Sequence, residues 1–157
     1  MDRIRIWSGV LILAGLVLTV GGCGNAATPT AAPWALTVVV AGAEQHFSLA
    51  DLEALPEAEI RYTAKETGQE NTYQGVRLRD LLNAARADLD SLREVEVEAT
   101  DGFSAIYPRE MALRDTSVLV YRMDGAPLPG EMGQVRMLSP GESSRFQVKF
   151  VTRLTVR

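Results

Sequence analysis

The sequence predicts an α+β domain built from many short strands and a few short helices. Several segments alternate apolar and polar residues with the two-residue period of a half-buried strand, most clearly "EVEVEA" at 94–99. The segment "RLRDLLNAARA" at 77–87 instead places its leucines at spacings of three and four, which is typical of an amphipathic helix. Pro108, before "REMAL", is well placed in the first turn of another short helix.

The first half of the domain is predicted as a hairpin, a short helix, a strand and a longer helix. The strand "LTVVVAG" at 36–42 ends at Gly42, and "EQHFSL" at 44–49 returns beside it. Ser48 stands three residues before Asp51, a capping-box-like helix start, and Pro56 stops that helix. The strand "EIRYTAK" at 59–65 leads into the polar stretch "AKETGQEN", interpreted as a loop before the helix at 77–87.

The second half is predicted to consist mainly of strands. Strands at 94–99 and 102–108 flank the turn dipeptide Asp101-Gly102, and a short helix follows at 108–113. The strongly apolar "SVLVYRM" at 117–123 is a strand, and "DGAPLPG" at 124–130 is a turn and loop. Strands at 135–140 and 147–157 close the domain.

The N-terminal segment is predicted to be an export signal with a lipid attachment site. Arg3 and Arg5 precede a short apolar run, and "VGGC" ends it, a pattern typical of a cleaved signal. The boundaries are a lipoprotein signal peptide at 1–22, a lipidated Cys23 with a flexible tether to 35, and the domain at 36–157. An uncleaved anchor helix is the alternative; either places the domain outside the cytoplasm, in a periplasm or at a cell surface.

The composition excludes several classes of protein. A net charge of -4 argues against a general nucleic-acid binder. From Val135 to the end, however, the sequence contains five basic residues and one acidic residue, and such a basic segment suits an anionic ligand. Cys23 is the only cysteine and His46 the only histidine, so the domain has no disulfide and lacks the usual zinc ligands. A Ser-His-Asp triad would depend on His46, which is better explained as a lone surface or half-buried residue.

The order of motifs resembles the molybdopterin-binding domain of sulfite-oxidase-type oxidoreductases, in a short lipoprotein form. The resemblance rests on "GVRLRDLL", "DGFSA", "MDGAPLP" and "VKFVTRL", in this order, and covers nearly all of 36–157. It implies a mixed-sheet, barrel-like α+β fold with few helices. It also implies that the region of "SPGESSR" at 139–145 holds a pterin phosphate, where Gly and Ser can form an anion-binding nest.

The candidate ligand-binding residues follow from that resemblance and from the chemistry of their side chains. They are Lys149, Arg145, Ser144, Ser143, Arg136, Asp101, Tyr107, Tyr73 and Glu66. Lys149 occupies the family's strand lysine, and the tyrosines, with Phe103 and Phe146, are candidates for stacking on a planar ring. Asp101, Glu66 and Arg145 are candidates for its polar edge.

Two departures from the family pattern concern the metal cofactor. Family enzymes carry a molybdenum-binding cysteine shortly before the "GVRLRDLL" helix, whereas "YTAKETGQENTYQG" at 62–75 has none. Ser or Thr cannot replace a thiolate at such a soft site. Met132 stands where the family often has a cofactor-binding histidine.

Three hypotheses about function remain open from the sequence. The first is a membrane-anchored binding protein for a pterin or molybdopterin-like ligand, without molybdenum and beside a possible membrane partner. The second is a molybdopterin-dependent oxidoreductase with an atypical metal site. The third is a degenerate domain that keeps the fold for protein contacts.

Overall fold

The computed structural model of the protein describes residues 34–65 and 67–157. The predicted signal peptide, Cys23, most of the tether and Glu66 lie outside the described residues. Within the described part, no helix is long and apolar enough to cross a membrane. The ten short strands and three short helices found in residues 34–65 and 67–157 confirm the α+β prediction.

The strands and helices have the following bounds. The strands are β1 Leu36–Val40, β2 Ala43–Phe47, β3 Glu57–Thr63, β4 Glu70–Arg77, β5 Glu94–Ala99, β6 Ser104–Pro108, β7 Val118–Met123, β8 Ala126–Pro127, β9 Arg136–Leu138 and β10 Val151–Val156. The helices are α1 Leu49–Glu53, α2 Leu78–Ala84 and α3 Arg109–Ala112. Gly130–Met132 and Ser144–Phe146 are single 3-10 turns.

Two five-stranded sheets form the domain. The first sheet has the order β2-β1-β10-β5-β6 and is mixed, because β1 and β10 run parallel while the other pairs are antiparallel. The second sheet is antiparallel, with the order β3-β4-β7-β8, and β9 pairs with the first half of β7. The main core takes side chains from both sheets and from the helices.

Local signals explain the helices. The capping box of α1 is confirmed, since Ser48 Oγ accepts a hydrogen bond from Asp51 N at 3.2 Å and Ser48 N donates to Asp51 Oδ2 at 2.8 Å. Leu78, Leu81 and Leu82 of α2 are fully buried in the main core. Burial of each such side chain contributes roughly 1.5–3 kcal/mol.

The structure corrects the interpretation of the polar stretch after β3 in part. The sequence predicts a loop at 64–71, and the described residues up to Gln69 lie in neither a strand nor a helix. The last two residues of that stretch, however, join residues 72–77 in β4, which pairs with β3 on one side and β7 on the other. Pairing on both edges outweighs the low strand propensity of its polar first residues. The strand expected at 147–157 likewise begins only at Val151, because a 3-10 turn and a positive φ of 53° at Phe150 precede it.

The second sheet carries a smaller apolar cluster on its other face. Successive β7 residues alternate, so that Leu119 and Tyr121 enter the main core while Val118 and Val120 enter this second cluster. The partly buried Met132 packs against the cluster. This face, rather than the main core, holds the candidate site.

Candidate functional site

A cleft of about 410 Å³ opens over the second sheet. Its wall comes from the β3–β4 connection, the start of β4, the 129–132 segment and two cations from the C-terminal part of the chain. The lining residues are Ala64, Thr67, Gln69, Asn71, Tyr73, Met123, Pro129, Glu131, Met132, Arg136 and Lys149. The segment in which the family carries its metal-binding cysteine therefore forms one wall of this cleft.

Arg136 is the most unusual residue of the cleft. Its side chain lies at the start of β9 and is buried, with only 6% of the residue exposed. Its buried Nε has no hydrogen-bond partner among the described residues, and its Nη1 contacts the sulfur of Met132 at 3.5 Å. Its guanidinium carbon lies 5.7 Å from the centroid of the Tyr62 ring.

The charge of Arg136 is not balanced by a carboxylate within the described part of the chain, where it forms no ion pair of 4.0 Å or less. A buried guanidinium keeps its positive charge, and burying a charge without a partner is costly. An anion bound in the cleft would supply the missing partner and would satisfy unused N–H groups at the same time.

Tyr73 supplies a hydroxyl beside Arg136. Burial is the main cause that raises the pKa of Tyr73; the charge of Arg136 opposes the rise, and the carboxylate of Asp124 adds to it. The phenol is therefore protonated at neutral pH and can donate a hydrogen bond to a ligand. Its ring is buried, with 1% of the residue exposed, and packs edge-on against Tyr62 with 6.4 Å between ring centroids, so the predicted stacking of Tyr73 on a planar ligand is wrong.

Lys149 is exposed and is positioned by an unusual backbone. The next residue, Phe150, has a φ of 53°, a strained value for an aromatic residue. Phe150 N donates to Met132 O at 3.0 Å, and Val151 N donates to Val135 O at 3.1 Å. These bonds fix the chain around Lys149 against the segment that leads to Arg136.

Gly133→Ala is expected to disturb this positioning. Gly133 has a φ of +82°, and an added Cβ would lie 2.8 Å from Phe150 Cα. Left-handed strain and overpacking together predict a loss of about 3 kcal/mol in the free energy of unfolding. Urea denaturation measures it. Gly141→Ala is the matched control, because Gly141 has a φ of +88° but no atom within 4 Å of the added Cβ. An equal loss in both variants would contradict the proposed clash.

The other basic residues of the C-terminal part lie elsewhere. Arg153 pairs with Glu44 at 2.6 Å and Glu98 at 3.6 Å, and Arg157 pairs with two glutamates of β5. These pairs lie on the solvent side of the first sheet and neutralise much of the positive charge that the sequence suggested for a ligand. Arg136 and Lys149 are the cations that remain for the cleft.

Arg145 and the serines of the predicted anion-binding loop do not line this cleft. Arg145 stacks on the ring of Phe146, 4.6 Å from its centroid, and lines a separate cavity with Phe103 and Ile106. Ser143 is the N-cap of the 3-10 turn Ser144–Phe146, and Ser144 is its first residue. Nearby, Pro140 to Glu142 border another cavity, of about 260 Å³, with Arg61 and Lys65.

Asp101 and Tyr107 have structural partners. Asp101 Oδ1 accepts a hydrogen bond from Phe103 N at 3.0 Å and so closes its own turn. Tyr107 is fully buried, its hydroxyl donates to Phe146 O at 2.6 Å, and burial raises its pKa. Its ring has no face open to a ligand. The structure thus brings Arg136, Lys149 and Tyr73 together and separates them from Arg145, Ser143, Ser144, Asp101 and Tyr107.

The cleft residues that were not candidates from the sequence are the polar Thr67, Asn71 and Glu131 and the apolar Ala64, Met123 and Pro129. Thr67 and Asn71 lie in the stretch interpreted as a loop, and Glu131 lies in the loop before β9. Isolated polar residues carry no signal of their own there. The missing cysteine was the available clue, since it marked the same segment as the place of a cofactor.

The donors of the cleft fit an anionic organic ligand and do not fit a thiolate-held molybdenum. Across residues 34–65 and 67–157, no three His, Cys, Asp or Glu side chains are grouped to hold a metal ion. The sulfur atoms in the cleft are the thioethers of Met123 and Met132, which are not thiolates. Arg136, Lys149 and the Tyr73 hydroxyl instead offer positive charge and N–H or O–H donors.

Comparison with known proteins identifies the fold and the family. The chain is similar to the sulfane dehydrogenase SoxCD from Paracoccus pantotrophus, with 20% sequence identity and a TM-score of 0.65. That match covers 77% of this chain and 37% of the other. No curated protein sequence gave a significant match. The model of the oxidoreductase molybdopterin binding domain matches residues 25–157. The chain therefore belongs to the oxidoreductase molybdopterin-binding domain family.

Proposed function

We propose that this protein binds a pterin or a molybdopterin-like ligand in the cleft, without molybdenum catalysis. The observation that carries the proposal is Arg136, a buried cation without a carboxylate partner among the described residues. Lys149 lines the same cleft and adds a second positive charge. Family membership supports a pterin as the class of ligand.

The chain's own residues have distinct tasks in this proposal. Arg136 and Lys149 bind the anionic group of the ligand, where charge-assisted hydrogen bonds are strong. Tyr73 donates from the floor of the cleft, and the polar side chains of the β3–β4 connection contact the ring edge. A molybdopterin that carried molybdenum would supply redox chemistry, but the described lining of the cleft offers no thiolate to that metal.

The proposal includes a membrane anchor and an extracytoplasmic location. It rests on Arg3, Arg5, the apolar run and the "VGGC" that ends at Cys23. A protein held there would bind its ligand beside a membrane and could present it to a membrane partner.

Family membership also favours a second candidate, a molybdopterin-dependent oxidoreductase whose metal is held by the pterin's own sulfur atoms. Domain similarity alone does not establish that activity, because related folds carry different chemistries. The third candidate, a domain that only contacts other proteins, leaves the buried charge of Arg136 without an explanation.

One preparation distinguishes the three candidates. The full chain is expressed in a bacterial host that makes molybdopterin, extracted from membranes with detergent, and analysed for molybdenum and for fluorescent pterin. We expect pterin without stoichiometric metal. One molybdenum per chain would support the oxidoreductase. No pterin, and no thermal shift with the fluorescent anion pterin-6-carboxylate, would support the protein-contact domain.

The same preparation tests the anchor. Mass spectrometry is expected to find lipid on Cys23, and Cys23→Ser is expected to leave the membrane fraction or to keep its signal peptide. An unmodified Cys23 at the mature N-terminus would contradict the anchor and would leave the ligand proposal unaffected.

A further inference from the structure

We infer that Asn71 selects ligands with an N–H donor and that Asp124 fixes the side-chain amide of Asn71 in the orientation that does so. This inference rests on the proposed function, because it names the ligand edge that the same cleft recognises. Asn71 lies at the start of β4 and lines the cleft, and Asp124 lies in the turn between β7 and β8.

Asp124 joins its turn to β4 through three hydrogen bonds. Its Oδ1 accepts from Thr72 N at 2.9 Å, and its Oδ2 accepts from Asn71 Nδ2 at 2.7 Å. Its own N donates to Thr72 O at 2.7 Å. Asp124 has a φ of 52°, so the turn holds a backbone conformation in which Asp is better tolerated than most residues. Each carboxylate oxygen of Asp124 therefore accepts one hydrogen bond from β4.

The ionised carboxylate decides which end of the Asn71 amide faces it. The Thr72 N–H, followed by the Asn71 amide, lowers the pKa of Asp124 against a small effect of burial. At neutral pH the carboxylate is only an acceptor, so the NH₂ of Asn71 must point toward it. The reverse orientation would place two oxygen atoms 2.7 Å apart. The amide oxygen of Asn71 consequently points away from Asp124.

That oxygen is available to a ligand. Asn71 Oδ1 accepts no hydrogen bond from another described side chain or backbone group in this part of the molecule. A ligand with an N–H at this edge would pair with the oxygen, whereas a ligand without one would leave it unpaired. A ligand that covers this oxygen without pairing with it removes the oxygen from water and gives no hydrogen bond in return, and polar sites discriminate strongly on this basis.

Two groups of residues in the cleft together define a ligand class. Arg136 and Lys149 require an anionic group, and Asn71 requires an N–H on the ring. The pyrimidine half of a pterin has such an edge, as does any lactam ring. Gln69 also lines the cleft, but its side-chain amide has no hydrogen-bond partner in the described part that would fix its orientation.

The test compares pterin-6-carboxylate with its ring N-methylated analogue on the full chain, by fluorescence titration. Wild type is expected to prefer the N–H form by about tenfold. Asn71→Leu should remove this preference while keeping the affinity for inorganic phosphate, measured by competition. Asp124→Asn should reduce the preference at least threefold, because a neutral amide lets Asn71 turn either way.

Each result has a defined meaning. A preference that persists in Asn71→Leu would reflect the size of the methyl group and would overturn the inference. Equal binding of both forms by wild type would overturn it too, while leaving the proposed function intact. Failure of wild type to bind pterin-6-carboxylate would overturn both. Far-ultraviolet circular dichroism checks that each variant folds. If Asn71→Leu does not fold, the test rests on Asp124→Asn, and an unchanged preference for the N–H form over the N-methylated form in that variant would overturn the inference.

Discussion

Gly75→Ala is expected to destabilise the domain by about 3 kcal/mol, since it forces a methyl group into a neighbouring strand. An added Cβ would lie 2.1 Å from Leu119 O and 2.6 Å from Val120 Cα. These are backbone atoms of β7, which cannot turn away as a side chain can. The β4–β7 register shifts between Gln74 and Gly75, so the glycine stands at a bulge where the two backbones approach closely.

Urea denaturation followed by circular dichroism measures this loss. Gly130→Ala is the matched control, because Gly130 has no atom within 4 Å of an added Cβ and no positive φ. We expect that control to remain within about 0.5 kcal/mol of wild type. Because β4 also carries Asn71 and Tyr73, Gly75→Ala should weaken ligand binding as well. A stable Gly75→Ala protein would mean that β4 and β7 lie further apart than described.

Arg136→Met is expected to weaken ligand binding strongly and yet to leave the unliganded protein as stable as wild type or more stable. Methionine fills much of the same space without a charge. Removing a buried cation that lacks a carboxylate partner among the described residues is expected to raise the free energy of unfolding by about 1 kcal/mol. The loss of charge-assisted hydrogen bonds should weaken binding of pterin-6-carboxylate about 100-fold.

Two measurements on the same protein test this combination, thermal unfolding without ligand and fluorescence titration with it. Arg153→Met is the control, since Arg153 pairs with Glu44 and Glu98 outside the cleft. It should keep wild-type affinity and change stability by less than about 1 kcal/mol. Wild-type affinity in Arg136→Met would refute the anion site. A large loss of stability would show that Arg136 has a structural role.

Elements with a strong local pattern could be predicted from the sequence. Helix α2 is predicted by the spacing of Leu78, Leu81 and Leu82, and β5 is predicted by its strict alternation of apolar and polar residues. Strand β4 could not be predicted, because Glu70 and its polar neighbours become a strand only when β3 and β7 pair with both edges. Non-local pairing is invisible in a local pattern.

Only part of the candidate site could be predicted, because its geometry also depends on how the chain folds locally. Arg136 and Lys149 were identified through charge and the family motif, and both line the cleft. Arg145 carries the same charge, but a 3-10 turn directs it onto Phe146. The conformation of the short irregular segments determines which of these two arginines reaches the cleft, and the residue type alone does not reveal that conformation.

The place of β10 in the first sheet has a consequence for the timing of folding. β10 is the last strand of the described chain, yet it lies between β1 and β5 and pairs with both. Until β10 is available, the β1–β2 hairpin and the β5–β6 hairpin have no strand to join them. During synthesis, the earliest hairpin must therefore wait for more than 100 later residues, so the sheet is completed only after nearly the whole domain has been made.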